Sequence, residues 1–203
     1  MKTVNFIGKT FFLPVLIILA STSSAFAHAT AADLTGGFSS GFIHPLSGLD
    51  HIIAMVAVGL WGAFLGRPAI WILPIVFPLV MAFGGALGVA GVPLPGIETG
   101  IALSGLVLGL VVAFAVRPPI WMAAVLVGAF AIFHGYAHGA ELPNAANPLM
   151  FSLGFVVSTG LLHLTGIAFG ELSRWTWGKV AVRAGGGVIA LLGLGFLTHV
   201  ISV

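Results

Sequence analysis

Long apolar runs broken by short polar stretches set the layout of this chain. Beyond residue 40 they fall at 41–65, 68–90, 97–116, 119–139, 148–170 and 180–201. A helix needs roughly 20 mostly apolar residues to cross the hydrocarbon of a bilayer, so the pattern predicts six transmembrane helices packed as one all-α, polytopic membrane bundle. Composition strengthens this: 59% of the 203 residues are hydrophobic and 6% are charged, and mean hydropathy is +1.18. That leaves too little polar surface to clothe a water-soluble globule.

The N-terminal run is shorter and differently framed. Lys2 and Lys9 precede the apolar stretch from Phe11 to Ala20, Pro14 interrupts it, and Ala25, Phe26 and Ala27 close it. This is the three-part layout of a secretory signal peptide. Residues 1–27 are therefore expected to be cleaved, leaving residues 28–203 as the membrane domain with His28 at its new N-terminus.

The loops fix the orientation. Arg67, Arg117 and the group Arg174, Lys179 and Arg183 fall in or beside alternate connections, whereas Glu98 and Glu141 fall near the others. The positive-inside rule puts the basic loops in the cytoplasm and both mature termini outside, as a cleaved signal peptide also requires. For a bacterial chain this means the inner membrane, with periplasmic termini. A repeat at an offset of 50 aligns 59–71 with 109–121 and matches eight of thirteen positions, among them Arg67 with Arg117, Pro68 with Pro118 and Trp71 with Trp121. Two readings fit it: a parallel internal duplication, or good turn and interface chemistry used twice. Glycine pairs at 84 and 88, 105 and 109, and 166 and 170 allow close helix approach in lipid and could also serve a homo-oligomer. Pro74 and Pro78 are expected to kink the second span.

Charge and cysteine narrow the chemistry. A formal net charge of +2, with basic residues scattered singly, lacks the clustered footprint of a nucleic-acid binder. With no cysteine in the chain, disulfides, thiolate metal sites and thiol catalysis are excluded. No Gly-rich loop ending in Lys and Ser or Thr is present, so ATP cannot be used in the P-loop manner.

Against this background, His44, Asp50 and His51 in the first span and His134, His138 and Glu141 at the end of the fourth are costly. An ionisable group at bilayer depth costs on the order of 2.5–3.5 kcal/mol even on lenient scales. His134, His138 and Glu141 project from one stripe if the helix continues that far, and two imidazoles four residues apart can chelate one ion. His44 and His51, two turns apart, are expected to share a face, with Asp50 as ligand or hydrogen-bond partner. Both groups lie toward the exported ends of their helices and can meet at one depth. Four neutral imidazoles and two carboxylates carry minus two, which would cancel a divalent cation. Nitrogen and oxygen donors without thiolate favour nickel, cobalt or zinc over copper(I), magnesium or calcium. His163 in the fifth span is either a second stopping point for an ion or an interhelical hydrogen-bonder. His199 and Glu171 fit interfacial roles, while His28, with Asp33, could capture metal through an amine and an imidazole.

The stretches His44-Pro45-Leu46-Ser47-Gly48-Leu49-Asp50-His51 and Phe133-His134-Gly135-Tyr136-Ala137-His138-Gly139-Ala140-Glu141 resemble the two signatures of the HupE/UreJ proteins. The resemblance extends over the whole mature chain. It implies a nickel permease, sometimes linked to cobalt, that supplies metal for hydrogenase or urease, with His44, Asp50, His51, His134, His138 and Glu141 as its functional set. The expected partners are then a divalent metal ion, as cargo and not as a prosthetic group, and the lipid bilayer. A second class of reading keeps the same ligands: a membrane-embedded hydrolase in which they hold zinc and activate water, with Ser47 and Asp50 assisting.

Overall fold

The computed structural model describes residues 37–141 and 147–201, and of Glu141 the backbone alone. The expected signal peptide at 1–27, together with His28 and Asp33, lies outside the described residues. Among the described residues the fold is all-helical: α1 Gly37–Ser47, α2 Leu49–Leu65, α3 Ala69–Val89, α4 Ile97–Ala113, α5 Ile120–Glu141, α6 Pro148–Gly170, a 3-10 turn Glu171–Arg174 and α7 Thr176–Leu197.

Four of these segments are long and apolar enough to cross a bilayer, namely α3, α5, α6 with its 3-10 extension, and α7. The α1–α2 pair passes the same test as one span. Helix α4 is apolar but only 17 residues long, about 26 Å at 1.5 Å per residue. The chain is thus a multi-pass membrane protein, and its outer surface suits lipid: Trp71, Ile75, Leu79 and Phe83 line the exposed face of α3. The opposite stripe of the same helix, Leu73, Phe77, Met81, Gly84 and Gly88, is buried.

The expected first helix, 41–65, is corrected: it is two helices meeting at Gly48 with a bend of 82°. The cause is local. Pro45 lies in the last turn of α1 and has no N–H to give the helix ladder, and the Ser47 hydroxyl donates to the His44 carbonyl at 2.6 Å. Gly48 then takes an extended conformation as the N-cap of α2. Pro74 and Pro78, by contrast, lie within a single continuous α3.

Glycines set the closest helix approaches, as lipid-embedded bundles require. Gly84 and Gly88 of α3 face the backbone of α5 at Ile132 and Tyr136, so these two helices run parallel. Gly59 of α2 meets Gly166 of α6, and Gly170 meets Ala63, again in parallel. Gly105 and Gly109 of α4 meet Gly193 and Ala190 of α7, which is antiparallel. This is the arrangement that passes alternating in direction produce. All three glycine pairs singled out in the sequence serve packing within the chain.

Candidate metal centre

The bend at Gly48 has a functional consequence. His44 and His51 do not share a face of one straight helix, as the sequence suggested; they stand on either side of the break and both point to α5. His44 Nε2 and His138 Nδ1 share a hydrogen bond at 3.0 Å. The His51 ring lies 4.7 Å from that of His138 and 5.2 Å from that of His134, centroid to centroid. Four imidazoles from α1, α2 and α5 therefore converge in the interior.

Helix α5 is held in place for this by the glycines of its own motif. A Cβ at Gly135 or Gly139 would run into the backbone of Met81 or Gly85, so α5 lies directly against α3. The preceding residue in each case, one step of about 100° around the helix, is a histidine turned to the bundle centre. His134 is completely buried and His138 nearly so.

The hydrogen bonds fix which nitrogen two of the rings offer. A carbonyl or carboxylate only accepts, so His134 Nδ1–H donates to the Phe130 carbonyl at 3.0 Å, and His51 Nδ1–H donates to Asp50 Oδ1 at 2.8 Å. In the neutral ring the other nitrogen, Nε2, then carries a bare lone pair, the arrangement found in metal-ligating histidines oriented by an outer partner. The Nε2 atoms of His51, His134 and His138 are all buried and have no hydrogen-bond partner among the described residues. Unpaired buried polar atoms cost about 1–3 kcal/mol each, so three in one place mark a site built for something polar.

Asp50 is buried beside His51, and a Cβ on Gly48 would stand 2.7 Å from Asp50 Oδ1 and 2.9 Å from His51 Nδ1, which explains glycine there. Phe151 and Phe155 of α6 wall the cluster, the ring of Phe155 lying 4.3 Å from His138 and that of Phe151 lying 5.7 Å from His44. As they stand, no three of the described His, Asp or Glu side chains are arranged to hold an ion. Two of the imidazoles are bonded to each other, and Asp50 to a third. Glu141 is the last residue of α5; its side chain lies outside the described residues. Ser47, the hydrolase candidate, is engaged with the His44 carbonyl.

His163 lies elsewhere, on α6, where its Nδ1–H donates to the Met55 carbonyl of α2 at 2.8 Å. Phe77 is a residue that sequence reasoning missed. Its buried ring contacts both His134, at 5.5 Å, and His163, at 5.3 Å. A phenylalanine in an apolar run carries no sequence signal of such a position.

A multi-pass helical membrane protein whose interior gathers histidines from three helices is the class that fold and site define. Comparison with known proteins agrees with that class and narrows it. The HupE / UreJ protein family model matches residues 16–196, and the chain belongs to that family. It is similar to Protein HupE of Rhizobium leguminosarum bv. viciae, with 47% identity over 171 residues, covering 84% of this chain and 90% of that protein. No solved structure matches.

Proposed function

We propose that this chain is a six-span permease of the bacterial inner membrane that takes up Ni²⁺, with Co²⁺ or Zn²⁺ as alternative cargoes, for hydrogenase or urease maturation. In this reading residues 1–27 are removed on export and both mature termini are periplasmic, so the histidine cluster faces the periplasmic side. His44, Asp50, His51, His134, His138 and Glu141 form the entry site. The observation that carries the reading is the set of buried imidazoles with unpartnered Nε2 atoms at the meeting point of α2 and α5. Imidazole lone pairs in a lipid-embedded interior suit a borderline divalent ion and not a hard, oxygen-seeking one. Family membership supports it, because the two motifs that define the resemblance are the segments that build the cluster.

Cells lacking other nickel uptake systems should accumulate labelled nickel when they make this protein, and His134→Ala with His138→Ala should reduce accumulation to background. Wild-type accumulation by the double variant, at equal protein level in the membrane, would overturn the site. Competition by cobalt and zinc during uptake ranks the cargoes.

A further inference from the structure

Among the described residues, three buried side-chain polar atoms without partners remain outside the cluster: His163 Nε2, Thr159 Oγ1 and Ser158 Oγ, all on α6. The hydroxyls are the more telling, because a serine or threonine inside a helix ordinarily bonds a carbonyl one turn back. This chain does so elsewhere: Thr165 donates to Leu161 at 2.8 Å, Thr198 to Leu194 at 2.9 Å and Ser104 to Ile101 at 2.6 Å. Ser158 and Thr159 do not, although both are fully buried. His163 shows the same polarity as His51 and His134: Nδ1–H is tied to the Met55 carbonyl, so the neutral ring presents Nε2 bare.

Position links these atoms to the entry site. Phe155, Thr159 and His163 recur at four-residue steps and form one stripe of α6. Phe155 touches His138 at the upper end of that stripe. On the facing helix, the Phe77 ring meets both His134 and His163 edge-on, at interplanar angles of 63° and 77°.

We propose that His163 Nε2 and Thr159 Oγ1, one turn apart on the same stripe of α6, form a second, inner resting place for a divalent cation, separated from the entry cluster by the ring of Phe77. This rests on the transport reading above and extends it to a two-station route. The inner station has neutral donors and no described carboxylate among them, so it holds the ion less tightly than a cluster containing Asp50. A permeating ion needs sites strong enough to enter and weak enough to leave, and a graded pair supplies both. The Phe77 ring has to turn aside for the ion to pass.

The test is equilibrium dialysis of the purified full chain in detergent against rising Ni²⁺, with flux measured in vesicles from the same preparations. Wild-type protein should bind two ions in two phases. His163→Asn keeps an N–H for the Met55 carbonyl and lacks Nε2; it should lose the weaker phase alone. Thr159→Val should weaken that phase about tenfold, and His134→Ala with His138→Ala should remove the tighter one. Phe77→Leu should keep both phases and release the weakly held ion to chelator several-fold faster. A single phase in the wild type, or two undiminished phases in both His163→Asn and Thr159→Val, overturns the inner station. Unchanged release from Phe77→Leu overturns the partition. Two phases with no wild-type flux would instead defeat the transport reading and leave the inner station standing.

Discussion

Whether an imidazole can take an ion depends on which ring nitrogen keeps its proton, and at three of these rings a hydrogen bond to an oxygen acceptor makes that choice. The Phe130 carbonyl sets His134, the Met55 carbonyl sets His163 and the Asp50 carboxylate sets His51. Asp50 differs from the two carbonyls because it also supplies a full negative charge beside the cluster. Asp50→Asn retains an oxygen that accepts from His51 Nδ1–H and removes the charge. Nickel affinity of the entry site, read by calorimetry on purified protein, should fall by about 10–100-fold, with the fold intact. Equal affinity in that variant would show that Asp50 serves only to orient His51.

At the scale of the elements, glycine and its substitutes decide where helices stop and how closely they lie. Helix α4 ends in a turn in which Val116 N–H bonds the Val111 carbonyl and Ala115 N–H bonds that of Val112. This closing motif normally has glycine in the left-handed position, yet Ala115 occupies it at φ 56°. The left-handed conformation costs an L-residue about 1–2 kcal/mol, so Ala115→Gly should raise thermal stability in detergent by about 1 kcal/mol without changing metal binding. The reverse holds at Gly139, where a side chain would push into the Gly85 backbone. Gly139→Ala should destabilise by about 1–3 kcal/mol and weaken nickel binding as His138 moves with the displaced helix; unchanged melting and binding would refute the close fit of α3 and α5. Both halves of the histidine cluster, His44 with His51 and His134 with His138, were legible in the sequence because ionisable residues are rare in apolar runs and their spacing maps onto helix faces. The sharp turn at Gly48 was less so. His44 and His51 lie at a spacing that suits one helix face, and Pro45 and Gly48 sit inside an otherwise apolar run that is long enough for a single span. Phe77 gave no signal: both faces of α3 are apolar, so nothing in its pattern separates the stripe facing the site from the stripe facing lipid, and Ser158 and Thr159 on α6 are neutral hydroxyls that a helix ordinarily satisfies with its own carbonyls.

The molecule as a whole has a polar difference between its two ends. Arg67 and Arg117 stand at one end, where Arg117 lies over the Phe64 ring at 4.4 Å, and Arg174 pairs with Glu171 in the same region. Trp71, Trp121, Trp175 and Trp177 are exposed close to these residues in sequence, as tryptophans at headgroup level are. The parallel packing of α3 against α5 and of α2 against α6 requires the connections to alternate sides, and the basic ones then collect on a single face. Orientation can be tested cleanly because the chain has no cysteine. A single cysteine at Pro95, in the connection between α3 and α4, should react with a membrane-impermeant maleimide in intact spheroplasts. One at Ser173, after α6, should react only once the membrane is opened. The opposite pattern would invert the protein and place the histidine cluster toward the cytoplasm, turning a proposed entry site into an exit; labelling of both positions from one side would contradict the alternation of passes itself.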